Sequence, residues 1–158
     1  TAADRDALRA GLLDGAVDVV ATDHAPHTLE EKERPYASAP SGGPLVQHSL
    51  PMMLELSAQG VLPVETVVEK MCHAPARLFG VRDRGFLRTG HFADIVLVRP
   101  ADPWTVSKEN ILYKCGWSPL EGTAFSHRIM RTLVNGRTVY ADGRVDTAHR
   151  GAELEFDR

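Results

Sequence analysis

The chain has 158 residues, 43% of them hydrophobic, 25% charged and 6% aromatic, a composition that fits an ordinary globular domain and excludes a disordered, collagen-like or disulfide-stapled chain. Eighteen Lys and Arg against 21 Asp and Glu leave a net charge of −3 with both signs interleaved, so the sequence carries neither a basic nucleic-acid footprint nor a polybasic membrane patch. No window approaches the ~20 apolar residues of a membrane span, and Cys72 and Cys115 lie far apart with no Cys-x-x-Cys pair, which points to reduced thiols in a cytoplasmic protein.

In chain order, Thr1 and Asp4 form a helix cap followed by Leu8, Leu12 and Leu13 at helical spacing, which predicts a helix over Ala3–Leu13 that closes at Gly15. A start of this kind, without an initiator Met, suggests a chain that begins inside a larger protein. Val17–Ala21 is short and β-branched, the pattern of a strand buried on both faces, and helix followed by buried strand suggests a parallel α/β layout. Residues 24–44 hold Pro26, Pro35, Pro40, Pro44, Gly42-Gly43 and the charge run Glu30–Arg34, so no regular element is expected there. A loop of about 20 residues directly after a buried strand is read as functional, with the charge run as a solvated, mobile segment or a lid.

Apolar residues recur at helical spacing from Leu45 to Gln59, with Pro51 in the first turn or at a kink. A second helix is expected over Val64–Cys72, and a further turn from Pro75 to Gly80. Beyond Gly80 the texture changes to short apolar runs between glycines. Ala93–Val98 reads as a strand, Thr132–Val134 and Thr138–Ala141 as a hairpin turning at Asn135-Gly136, and Arg99–Met130 as a long irregular excursion. The expected organisation is therefore an α/β part, residues 1–80, and a small mostly-β domain, residues 81–158.

The densest polar cluster is Asp23-His24-Ala25-Pro26-His27, at the end of the expected strand. In parallel α/β folds ligands bind at the carboxyl ends of strands, where an aspartate can hold a metal or move a proton. An aspartate after a strand can equally cap the next turn, and both readings stay open for Asp23. Pro26 excludes a helical His-x-x-x-His arrangement for His24 and His27 while holding their rings in fixed directions. Cys72-His73 offers two ligand-type residues, too few for zinc, and Trp104 and Trp117 read as packing anchors.

The string Asp23-His24-Ala25-Pro26-His27-Thr28, followed by Glu31-Lys32 and Ala39-Pro40, resembles the last-strand signature of dihydroorotases in the amidohydrolase superfamily. Pro75-Ala76-Arg77-Leu78-Phe79-Gly80, Gly85–Gly90, Ala93–Val98, Pro119-Leu120-Glu121-Gly122 and Val134–Tyr140 resemble the stretch in which such chains pass from barrel to small β domain. These later motifs are shared with hydantoinases and allantoinases. The resemblance spans nearly the whole chain, and the Asp-His-Ala-Pro-His string carries the narrower assignment.

The resemblance implies the C-terminal part of a (β/α)8 TIM-barrel, metal-dependent hydrolase plus a small composite sandwich domain. The implied reaction is reversible hydrolysis of the cyclic amide of dihydroorotate to carbamoyl aspartate, in pyrimidine biosynthesis. Asp23 would be both a zinc ligand and the general base, in a site with one or two Zn2+ ions. His27 matches the histidine that contacts the substrate carboxylate, the group that distinguishes dihydroorotate from neutral cyclic ureides. Ser41 and Gly42 fall at substrate-contacting loop positions, where the family usually carries Phe-Gly, so Ser41 departs from the pattern.

The family's His-x-His, carboxylated lysine and further histidines have no counterpart here, and an eight-stranded barrel takes about 250 residues. The expectation is a C-terminal piece that is inactive alone and needs a missing N-terminal barrel segment, with a homodimer left open and no nucleic-acid or membrane partner. The alternatives are an allantoinase- or hydantoinase-type cyclic amidase, or a non-catalytic dihydroorotase-like scaffold for aspartate transcarbamoylase.

Overall fold

The computed structural model describes residues 1–157. Helix α1, Ala2–Asp14, starts in a capping box, with the Thr1 hydroxyl taking the Asp4 amide and the Asp4 carboxylate returning to the Thr1 backbone nitrogen; it ends at Gly15 in the left-handed region. Val17–Ala21 is not a strand. It runs as irregular chain against the helices, its Val17 and Val20 amides donating to the carbonyls of Gly11 and Lys70 at 2.8 and 3.0 Å. The Lys70 ammonium, buried, donates to the Val17 carbonyl. A parallel strand needs neighbours to complete its ladder, and among the described residues none is offered; helix carbonyls and a lysine satisfy the backbone instead.

The 24–44 loop contains one short helix, α2 (Leu29–Lys32), against expectation. Its capping box is Thr28 with Glu31, which is enough to order one turn inside a breaker-rich stretch. Helix α3, Ser49–Ala58, begins four residues later than its apolar periodicity, because Pro51 has no amide to give and fits only in the first turn. The next two expected elements are one continuous rod: α4 (Val64–Val68), a wide π turn (Glu69–His73) and α5 (Ala74–Leu78). Ala74 donates back to the Glu69 carbonyl, and the widened turn carries the helix past Pro75 without a break.

The β part is a four-stranded antiparallel sheet in the order β1-β2-β3-β4: Ile95–Thr105, Ala124–Val134, Arg137–Ala141 and Arg144–Val145. The β2–β3 hairpin turns at Asn135-Gly136, both with positive φ, as its sequence requires. The irregular excursion is shorter than expected, since β1 and β2 pair from Ile95 opposite Leu133 to Thr105 opposite Ala124. Pro100 and Pro103 are tolerated because β1 is an edge strand, and the pairing shifts register between Pro100 and Trp104.

Met53, Leu54, Leu62 and Val67 form the core, with Leu12, Val20, Leu50, Leu56, Met71 and Val98 packed on it, so α1, α3, α4 and the sheet share one apolar centre. Glu55 of α3 reaches β2, where its carboxylate accepts from the Ser126 amide at 2.8 Å and hydroxyl at 2.7 Å. Those bonds hold the Glu55 carboxyl below its ordinary range. The C-terminal stretch returns to Gly80, whose carbonyl accepts from the Asp157 amide at 2.7 Å.

Gly85, with φ of +80°, lies under the π turn: a Cβ there would overlap the Cβ of Ala76 and stand 2.8 Å from the Cys72 carbonyl oxygen. Gly90, at φ +89°, has open space around it. Gly85→Ala is expected to cost about 3 kcal/mol in urea unfolding and Gly90→Ala about 1 kcal/mol, the excess being overlap rather than backbone strain.

Candidate active site

Asp23 adopts φ of +43°, a left-handed conformation that aspartate tolerates better than most residues, and its side chain is exposed. The reversal throws His24 beside Gly43, where the two form an isolated parallel bridge. Ala25 donates to the Gly43 carbonyl at 3.1 Å. His24 Nδ1 accepts the Leu45 amide at 3.1 Å, which puts the proton of the neutral ring on Nε2. Gly42 is obligatory at this crossing: its φ is +86°, and a Cβ would stand 2.7 Å from the Cβ of Ala25. Ser41 beside it is exposed. The 23–27 turn and Ser41-Gly42 therefore meet, although 13 residues separate His27 from Ser41 in sequence.

His27 is half-buried and held from three directions. Its amide donates to the Ala25 carbonyl at 2.9 Å, closing a tight turn about Pro26. Its carbonyl accepts the Trp117 indole N–H at 2.8 Å. Its Nδ1 lies 3.7 Å from a Glu31 oxygen, an ion pair when the ring is protonated. That Glu31 carboxyl, also bonded by the amide and then the hydroxyl of Thr28, titrates below its ordinary range. In the charge run Glu30, Glu33 and Arg34 are exposed, while Lys32 Nζ donates to the carbonyls of Pro40 and Gly42 at 2.6 and 2.9 Å.

The β part supports this loop through three further bonds that the sequence did not disclose. The Gln47 side chain donates to the Asn110 carbonyl and accepts the Leu112 amide, both at 2.8 Å, and the Gln47 amide donates to Tyr113 Oη at 2.9 Å. Tyr113 Oη in turn lies 3.3 Å from Nδ1 of His48, which is fully buried beside Trp104 and Phe125. His48 Nε2 has no hydrogen-bond partner. Trp104 is a packing anchor as expected, whereas Trp117 also bonds the site turn.

Among the described residues no group of three or more His, Cys, Asp or Glu side chains could hold a metal ion, including around Cys72-His73. Asp23 supplies one carboxylate where zinc takes three or four protein ligands, so these residues alone do not form a metal centre. Among the described residues no helix is long and apolar enough to cross a membrane.

A model of the amidohydrolase family matches residues 1–139. The dihydroorotase of Pelobacter propionicus is 42% identical over 134 residues, 85% of this chain and 31% of that protein. That of Halobacterium salinarum is 42% identical over 150 residues, 95% of this chain and 35% of its own. Among solved structures, the L-hydantoinase (dihydropyrimidinase) of Arthrobacter aurescens matches with a TM-score of 0.80 and 31% identity over 89% of this chain and 32% of its own. The chain spans about a third of the length of the relatives it matches.

Burial lowers the pKa of His48 from its ordinary value. Below about pH 6.5 the unfolded chain binds the proton first, so this group's share of stability is lost as pH falls. Comparing urea unfolding at pH 7 and pH 5, His48→Gln is expected to lose less stability on acidification than the parent protein; equal losses would remove His48 from the account.

Proposed function

Because the chain belongs to the amidohydrolase family, we propose that it is the C-terminal part of a zinc-dependent dihydroorotase with a (β/α)8 barrel. The observation that carries this reading is 42% identity to dihydroorotases over 85–95% of the chain. The Asp-His-Ala-Pro-His turn, folded against Ser41-Gly42, gives the reading its chemistry. The solved hydantoinases are compatible with a second reading, a cyclic amidase for neutral ureides. The two differ at one group, the substrate carboxylate.

In hydrolysis of dihydroorotate, water oxygen bonds to the ring carbonyl carbon, the carbon–nitrogen bond breaks, and a proton must reach the departing nitrogen. Asp23 does this work as general base and then acid, taking a proton from the attacking water and returning it to that nitrogen. Zinc would supply electrophilic activation when bound, with Asp23 as one ligand and the others from outside this chain. His27 donates to the substrate carboxylate, a charge-assisted hydrogen bond when the ring is protonated. Gly42 and Ser41 line the substrate through the backbone at their crossing with Ala25.

On this reading the missing N-terminal barrel segment covers apolar side chains such as Leu8, Leu13, Leu78 and Phe79, which are 54–63% exposed here. The 158-residue chain alone, lacking the other ligands, neither binds zinc tightly nor turns over dihydroorotate.

The test is kinetics on the full-length enzyme. Asp23→Asn is expected to lower kcat by about 10²–10⁴-fold. His27→Ala is expected to lower kcat/KM for dihydroorotate by about tenfold or more while changing that for hydantoin by less than about twofold. Equal losses on both substrates favour the hydantoinase reading, and turnover by the 158-residue chain with zinc contradicts the missing-ligand argument.

A further inference from the structure

The His27–Thr28 peptide group is held at both ends. Its carbonyl oxygen takes the Trp117 indole N–H at 2.8 Å, and its amide N–H goes to the Glu31 carboxylate at 2.8 Å. A peptide group is planar, so two hydrogen bonds on its opposite sides fix its rotation and with it the backbone torsions on either side. The tight turn of the His27 amide onto Ala25 fixes the preceding torsion. With the backbone set, the Cα–Cβ direction of His27 is set too, and the imidazole is left only its own rotamers, which the nearby Glu31 oxygen restricts further.

Glu31 belongs to the same loop and moves with it. Trp117 does not: it lies 90 residues away on the connection between β1 and β2, and it is the one member of this clamp contributed by the β part. Its ring also lies along the crossing, within reach of Gly43, at which an added Cβ would be 3.8 Å from the indole.

We propose that Trp117 is a positioning residue for substrate recognition: its indole N–H holds the His27 carbonyl so that the imidazole is aimed, before binding, at the anionic group of the substrate. This rests on the reading of His27 as the carboxylate-binding residue. Trp117 acts through the main chain of His27, not as a substrate ligand. The β part thereby sets the selectivity of the site from a distance, through one hydrogen bond to the main chain.

The test is a double-mutant cycle in the full-length enzyme, with KM and kcat for dihydroorotate measured in the parent, Trp117→Phe, His27→Ala and the double variant. The expected result is a KM raised about fivefold by Trp117→Phe, the loss of one ordinary hydrogen bond, with kcat within about twofold of the parent. In the His27→Ala background the same change should leave KM unaltered, because there is no imidazole left to aim. An unchanged KM in Trp117→Phe, or an equal rise in both backgrounds, overturns the proposal and assigns Trp117 to packing alone. If His27→Ala itself leaves KM for dihydroorotate unchanged, the carboxylate reading of His27 is what failed, and the proposal falls with it. Should Trp117→Phe not fold, 3-benzothienylalanine at position 117, which keeps the ring shape and replaces the N–H by sulfur, gives the same comparison.

Discussion

Residues 24–25 and 42–43 lie side by side, and every other feature of the candidate site follows from that crossing. The Ala25 amide and Gly43 carbonyl join the two stretches, the His24 ring takes the Leu45 amide, and Lys32 draws the Pro40 and Gly42 carbonyls toward α2. An ammonium that donates to two carbonyls makes charge-assisted bonds, stronger than the neutral backbone bonds around them. The crossing has no room for a side chain at position 42. In a glycine pair that in isolation marks only a turn, Gly42 is thus a steric requirement of the site.

The β part meets this loop along a line of polar contacts. Gln47 bonds Asn110, Leu112 and Tyr113, Glu55 bonds Ser126, and Trp117 bonds His27. Three of these involve main-chain groups on the β side: the Asn110 carbonyl and Leu112 amide of the irregular segment between β1 and β2, and the Ser126 amide of β2. Side-chain amides and carboxylates satisfy those groups and, in doing so, register the sheet against α3 and the site turn. The buried His48 sits at the centre of this seam, where burial lowers its pKa and favours the neutral ring.

Local signals were legible in the sequence, and long-range ones were not. The Thr1 cap, the Gly15 stop and the Asn135-Gly136 turn depend on neighbours three or four residues away, and each formed as read. Asp23-His24-Ala25-Pro26-His27 was recognisable as a resemblance, and the family match agrees with it. Val17–Ala21 reads as a strand because its composition suits one, but pairing is a property of the neighbours, and here helix carbonyls and Lys70 took their place. The reading of residues 24–44 as wholly irregular missed α2, whose Thr28-x-x-Glu31 box lies among the prolines and glycines that dominate the stretch. The stretch after Arg99 reads as irregular, yet β1 runs on through Pro100 and Pro103, because the tolerance of an edge strand for proline shows only once the sheet order is known. Gln47, Tyr113 and Trp117 carry no local signature at all: their partners lie more than 60 residues away.

The central claim is that this turn is one corner of a metal-dependent site completed by residues beyond the chain. A crystal structure of the full-length enzyme with zinc and bound carbamoyl aspartate tests it most directly. The account predicts an Asp23 carboxylate oxygen about 2.0–2.2 Å from the metal, with the His27 imidazole within hydrogen-bond distance of a ligand carboxylate. A complete metal centre with Asp23 still facing solvent, or a ligand carboxylate bound away from His27, would contradict it.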